Sequence, residues 1–228
     1  MIEEAKKEIF KLMNFSLVQE TCKISLENTK FFTIAGETGS GKTVALEYFY
    51  THNREFVKYV CLRQSMTPHD FFKEVAKQFG YRYPQKKIYT TINWIRDYLE
   101  ISINNYLLII DEGGKFKPEQ YGFIHELRDL TINKLGIILA GPEYFIHELN
   151  KWNEKKIKGV PEFFRRINLQ VNLKDLTKDE IISVCGEYDI KSIQVIKEKF
   201  LSVKNIGDLI SLIHNYQEIN YKLNEGIK

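Results

Sequence analysis

Cysteine is scarce. Cys22, Cys61 and Cys185 are scattered and odd in number, and no CxxC or Cys/His spacing accompanies them. That excludes a disulfide framework and gives no sign of a zinc or redox site, so they read as reduced thiols. No stretch approaches the roughly 18 consecutive apolar residues that a membrane-spanning helix needs. The opening "MIEEAKKEIFKLM" carries acids early and lacks the apolar core of a secretory signal. Together these absences predict a cytoplasmic protein with no membrane partner. Excess charge is also small: 33 Lys and Arg against 30 Asp and Glu give a net +3, which permits a polyanionic partner without requiring one. Repeats and low-complexity tracts are missing. The histidines, His52, His69, His125, His147 and His214, lie far apart, and none is assigned a catalytic or metal role.

What is present is a globular composition, 43% hydrophobic and 28% charged, in a chain long enough for one or two domains. Residues 1–20 space their apolar side chains as a helix does. After them, short apolar runs alternate with helical patterns. "KFFTIAG" reads as a buried strand, followed by a helix from Lys42 to about "THN". "EFVKYVCL" is a second strand. Thr67-Pro68 then starts a helix that Gly80 stops. "TTINWIRDYLEISI" sets Ile92, Ile95 and Leu99 on one helical face. "YLLIID" and "KLGIILAG" are continuous apolar runs, as strands covered on both sides require, and a helix from about Pro118 lies between them. "RINLQVNL" is a fifth strand. From Thr177 onward the pattern is helical. Ile193, Ile196, Phe200 and Val203 share one face, and Ile206, Leu209, Ile213 and Tyr216 share another. The alternation predicts an α/β protein with a five-stranded parallel sheet flanked by helices. A helical leader over 1–20, an α/β domain over 21–174 and a small helical lid over 175–228 complete the expected organisation.

The sharpest signal is Gly36-Glu37-Thr38-Gly39-Ser40-Gly41-Lys42-Thr43, which fits G-x-x-x-x-G-K-[ST] at every fixed position. Its glycines let successive N–H groups turn toward phosphate oxygens, and the helix that follows, through Val44, adds its dipole. Lys42 supplies charge to the β- and γ-phosphates, and the Thr43 hydroxyl reaches Mg²⁺. The strand before and the helix after are the context this mechanism needs. "YLLIIDE" supplies the second half: Asp111 ends an apolar strand where a carboxylate can hold the metal's water shell, and Glu112 is placed to activate the attacking water. "NKLG" at 133–136 begins like a guanine reader, but Leu135-Gly136 breaks the match. The lid is poor in the arginines that close a small-molecule kinase. An ATPase with its own hydrolytic base fits better. Arg165 and Arg166, in "PEFFRRINLQV", can add charge stabilisation to the γ-phosphate of a neighbouring subunit.

The order of phosphate loop, "LLIIDE", "IILAGPE", "FFRRI" and helical lid resembles an AAA+ ATPase from about Thr21 to Tyr216. Within that class, "GETGSGKT", "SMTPHDFFKEVAKQFG" and "LAGPEYF" are similar to the transposition ATPases of the Mu B, TniB and TnsC kind and to ExeA-like ATPases. The resemblance implies ATP-dependent assembly into rings or filaments on DNA and stimulation of a partner transposase. It also implies a trans-acting arginine at Arg166, with Arg165 as its substitute. Two positions depart from the family pattern. Leu139-Ala140-Gly141-Pro142 offers no polar side chain to sense the γ-phosphate, and Ile210 stands where the lid arginine would be. Both suggest slow hydrolysis or coupling through other groups. The short leader leaves no room for the extra DNA-binding domain of phage Mu B.

The AAA+ body is therefore expected to grip DNA itself, largely independently of sequence. Candidate contacts are Arg82, Lys86 and Lys87, with Tyr81, Tyr83 and Tyr89 interleaved for stacking, then Lys115 and Lys117, and the run Lys155, Lys156 and Lys158. No sequence-reading motif is present, and Trp94 and Trp152 read as packing residues. The alternatives are an AAA+ helicase loader and a nucleotide-gated signalling or defence scaffold.

Overall fold

The computed structural model describes residues 9–82 and 87–225. Its strands β1 (Phe31–Ala35), β2 (Val57–Cys61), β3 (Tyr106–Asp111), β4 (Leu135–Gly141) and β5 (Leu169–Asn172) form one sheet in the order β2-β3-β4-β1-β5. Every pairing is parallel. The three central strands are buried at every residue, whereas β2 and β5 at the edges alternate with partly exposed positions. Central strands of a covered parallel sheet have no polar face to spare, which is why their sequences are apolar apart from the buried Thr33 of β1 and the terminal Asp111 of β3.

The two faces separate cleanly by strand period. Leu108 and Ile110 of β3, with Ile137 and Leu139 of β4, enter one core cluster. It is closed by helices α3 (Pro68–Gln78), α4 (Ile88–Glu100), α5 (Tyr121–Leu130), α6 (Glu143–Glu154) and α7 (Val160–Phe164). Leu107, Ile109, Ile138 and Ala140 point the other way, against Val18 and Cys22 of α1 (Met13–Asn28) and Ala45, Leu46 and Phe49 of α2 (Lys42–His52). α1 lies so close to β4 that a side chain on Gly136 would collide with the Ser25 carbonyl oxygen. Thr67 caps α3 by accepting from the Asp70 amide at 3.2 Å, while the Asp70 carboxylate accepts from the Thr67 amide at 3.1 Å. With Pro68 at the first helical position, the start read from the sequence is the one observed.

A third cluster is wholly helical. Ile181, Val184, Cys185, Ile196, Phe200, Leu209 and Ile213 bring together α8 (Lys178–Glu187), α9 (Ile193–Lys199) and α10 (Ile206–Glu225). The expected boundary at residue 174 falls in the link between β5 and α8. The expected leader boundary at residue 20 falls inside α1, which runs unbroken from Met13 to Asn28 and buries residues on both sides of that position in the sheet's core. The helical spacing seen before residue 20 thus continues into a helix that belongs to the sheet layer. α6 and α7 were not anticipated, and α9 ends at Lys199, so Phe200 and Val203 pack from the turn beyond it.

Candidate active site

The loop between β1 and α2 opens at Gly36, and Gly39 and Gly41 adopt φ of 85° and 86°. This is left-handed backbone that residues with a Cβ adopt only with strain. At Gly39 space is limiting as well, because a Cβ would strike Asn205 Oδ1. Asn205 also caps α10, accepting from the Asp208 amide at 2.9 Å, and the Gly207 amide donates to the Gly39 carbonyl at 2.9 Å. The lid helix is therefore seated on the phosphate loop through main chain and cap. Sequence reading did not single out Asn205, although Asn-x-x-Asp before an apolar helix is a capping signal.

Lys42 and Thr43 open α2. The Lys42 ammonium donates to the carbonyls of Gly36 (2.6 Å) and Glu37 (2.9 Å) and to Ser40 Oγ (3.1 Å). Burial pulls it below the ordinary lysine value, against the carboxylates of Asp111, Glu112 and Glu143, which pull it up. The Thr43 hydroxyl donates to Asp111 Oδ2 at 2.8 Å. Asp111 is 1% exposed, and its carboxylate accepts two more hydrogen bonds: Tyr59 Oη to Oδ2 at 2.9 Å and the Glu112 amide to Oδ1 at 2.8 Å. Burial and the adjoining Asp111 charge push the Tyr59 phenol far above its usual range, so it stays a donor. A hydroxyl and a carboxylate side by side are hard oxygen donors of the kind Mg²⁺ takes, and the pair fits that ion.

Glu112 follows at φ 60°, an uncommon conformation for a residue other than glycine. Its neighbour Gly113 has no room for a side chain, since a Cβ would lie 2.6 Å from Leu139 Cδ1. Glu112 is half-exposed, and Lys115 Nζ lies 3.3 Å from Oε2 and donates to the Leu62 carbonyl at 3.2 Å. Thr38, Gly39, Ser40, Gly41, Lys42, Thr43, Val44, Asp111, Glu112 and Gly141 all line one cavity of about 390 Å³. The lid side of that cavity carries Ile206, Gly207 and Ile210, and Phe10, Leu12, Asn14 and Phe15 wall it from the N-terminal segment. Asn14 exchanges two hydrogen bonds with the Lys174 main chain, at 2.7 and 3.1 Å. These N-terminal wall residues went unread because nothing in a helical leader pattern reveals where its first turn docks.

The arginines separate. Arg166 makes two hydrogen bonds to Asp129, Nε to Oδ1 at 2.5 Å and Nη2 to Oδ2 at 2.8 Å, which hold the aspartate below and the arginine above their ordinary values. Arg165 is exposed and, among the described residues, has no ion-pair partner; with Lys156 and Lys158 it lines a shallow cleft of about 570 Å³ at the α6–α7 turn. Among the expected nucleic-acid contacts, Arg82, Lys87 and Lys117 are exposed, and Lys115 is engaged with Glu112. Lys86 and Tyr83 lie outside the described residues. Tyr81 stacks on Trp94 with ring centroids 4.3 Å apart, so its face is taken, while Tyr89 is 71% exposed. Trp94 and Trp152 both pack against the main core.

Sheet, loop and carboxylate together define an AAA+ P-loop NTPase fold. An AAA domain is matched over residues 25–149, more than half of the chain, and the chain belongs to that family. No curated protein matches it. Among solved structures it is similar to Cdc6p from Pyrobaculum aerophilum, with TM-score 0.60, 14% identity, and 80% of this chain against 51% of that one. It is also similar to the Aeropyrum pernix ORC1 protein in complex with DNA (TM-score 0.57, 14% identity, 77% of this chain and 48% of that one). The Drosophila ORC bound to DNA gives TM-score 0.50 at 12% identity, over 70% of this chain and 90% of the other. The chain spans about half the length of the Cdc6p and ORC1 chains. At these identities the likeness is one of fold. No helix among the described residues is long and apolar enough to cross a membrane.

Proposed function

We propose that the protein is a Mg²⁺-dependent ATPase that assembles on DNA in its ATP state and regulates a transposase or a related recombination enzyme. The observation carrying the ATPase reading is the 2.8 Å hydrogen bond from Thr43 to Asp111, in the same cavity as Lys42 and Glu112. The loop amides and Lys42 bind the phosphates; Lys42 exchanges the carbonyls of Gly36 and Glu37 for phosphate oxygens. Thr43 and Asp111 hold Mg²⁺, which supplies charge neutralisation on the phosphates when bound. Glu112 accepts the proton of the attacking water once Lys115 yields its carboxylate. The apolar wall of Phe10, Phe15, Leu176 and Ile206 suits the base.

A neighbouring subunit completes the site with an arginine. The resemblance pointed to Arg166, yet that guanidinium is committed to Asp129 and the uncommitted one is Arg165. We assign Arg165 the trans role and Arg166 that of fixing the turn behind it. DNA is gripped by exposed lysines and arginines, without sequence reading. A helicase-loader role is the second reading, favoured by the fold shared with Cdc6p and the DNA-bound ORC1 protein. The test is to mix protein, ATP and duplex DNA at low salt and image the mixture. Rings or filaments that need ATP, together with stimulation of a transposase encoded beside this gene, support the regulator. Turnover without assembly or DNA retention leaves an ATPase and removes the DNA role. Preference for single strands and capture of a helicase favour the loader.

A further inference from the structure

β2 contributes a residue to the metal corner that no loop or acid motif marks. In the parallel register Cys61 lies opposite Asp111, so Tyr59 sits two residues back along the neighbouring strand. From there its hydroxyl reaches Asp111 Oδ2, the oxygen that also accepts from Thr43. The ring stacks on Tyr50 of α2 at 5.7 Å and 29°. Tyr50 follows Thr43 by seven residues, two helical turns, and so projects from the same face of the helix. One tyrosine thus ties β2 to the carboxylate on β3 and to the helix carrying the hydroxyl.

We infer that Tyr59 is a positioning residue for the metal site, fixing the Asp111 carboxylate against Thr43 so that both present oxygen to the cation. The inference rests on the Mg²⁺-ATPase reading above. Thr43 has one proton and two lone pairs. Giving the proton to Asp111 leaves the lone pairs to face a cation, and that geometry holds only if Oδ2 stays where it is. The Glu112 amide holds Oδ1 from its own backbone, one residue along, and does not restrain the far oxygen. Tyr59 does, from a separate strand. A tyrosine whose ring merely filled the core would be satisfied by any acceptor; this one spends its proton on the site's buried acid.

The experiment is nucleotide binding by the full chain in a Mg²⁺ titration, read by fluorescence of a labelled ADP, beside thermal melting. For Tyr59→Phe, affinity in EDTA stays at the wild-type value. The Mg²⁺ concentration giving half of the affinity gain rises about tenfold, the effect of removing one hydrogen bond to a charged group. An unchanged half-point, even with a lowered melting temperature, overturns the inference and leaves Tyr59 a packing residue. Tyr50→Leu removes the platform and keeps the phenol, so its half-point rises by a smaller factor. This variant decides the matter if Tyr59→Phe does not fold, and an unchanged value there overturns the inference too. A wild-type chain whose nucleotide affinity ignores Mg²⁺ defeats the ATPase reading and this inference together. A wild type that responds beside a Tyr59→Phe that matches it defeats only the inference.

Discussion

The end of β3 and the turn between α6 and α7 both concentrate charge, and they treat it in opposite ways. At β3 the Asp111 carboxylate is 1% exposed and accepts hydrogen bonds from α2, from β2 and from its own chain neighbour. Around that turn, Lys156 and Lys158, with Arg165 just past the end of α7, are exposed, and among the described residues none has an ion-pair partner. Burying an unpaired charge is costly, so a chain that buries Asp111 must supply its donors internally. Exposed cations carry no such requirement, since exposed ion pairs contribute about 0–1 kcal/mol. The buried acid is therefore satisfied within one chain, whereas the cations of the second region are left to solvent, free to meet another molecule.

Substitutions at the two regions should differ in kind as well as in size. Glu112→Gln keeps shape and removes the proton acceptor, and turnover should fall by about 10²–10⁴-fold with ATP binding retained. Steady-state hydrolysis beside equilibrium binding checks this, and equal losses in both would remove Glu112 from the chemistry. Lys42→Ala takes away a partly buried charge whose partner is phosphate. Affinity should drop by about 10²-fold, within the 2–5 kcal/mol for truncating such a pair. Calorimetry reads it directly. Arg165→Ala should leave monomer binding intact and lower turnover about tenfold or more, visible only at concentrations where subunits associate. Arg166→Ala should have the smaller effect, because an arginine held by Asp129 acts through the turn. The reverse order of the two would return the trans role to Arg166.

How much of the molecule is legible in its sequence follows the same division. The phosphate loop and "YLLIIDE" can be read because each is local: a few consecutive residues fix both the backbone and the chemistry. The strand runs are legible for the same reason, since central strands buried on both faces have no alternative composition. Tyr59, Asn14 and Asn205 are not, because each acts across the fold. Tyr59 reaches Asp111 only through the β2–β3 register, and Asn205 meets Gly39 only because α10 docks on the loop. The choice between Arg165 and Arg166 is likewise invisible, depending on Asp129, 37 residues away in the chain. α6 and α7 escape notice although Leu149 and Phe163 are fully buried: α7 is only five residues long, and the reading of α6 stopped at the Gly141-Pro142-Glu143 turn that opens it.

The smallest expected effect bears on the exposed region alone. If the α6–α7 turn meets nucleic-acid phosphate, Lys156→Ala with Lys158→Ala should weaken DNA retention uniformly across sequences. It should also reduce the slope of log affinity against log salt by about 2, one for each phosphate no longer neutralised. The change in affinity varies with the salt chosen and is greatest at low salt, so the slope is the better measurement. Arg82→Ala with Lys87→Ala provides the comparison, since those residues are also exposed but lie near the start of α4. A slope that falls for one pair and not the other locates the DNA path on the body. Neither pair touches the nucleotide cavity, so ATP affinity of the monomer should be unchanged in both. If it moves with the slope, the two regions are not independent, and the contrast between a buried, internally bonded acid and an exposed cationic turn fails.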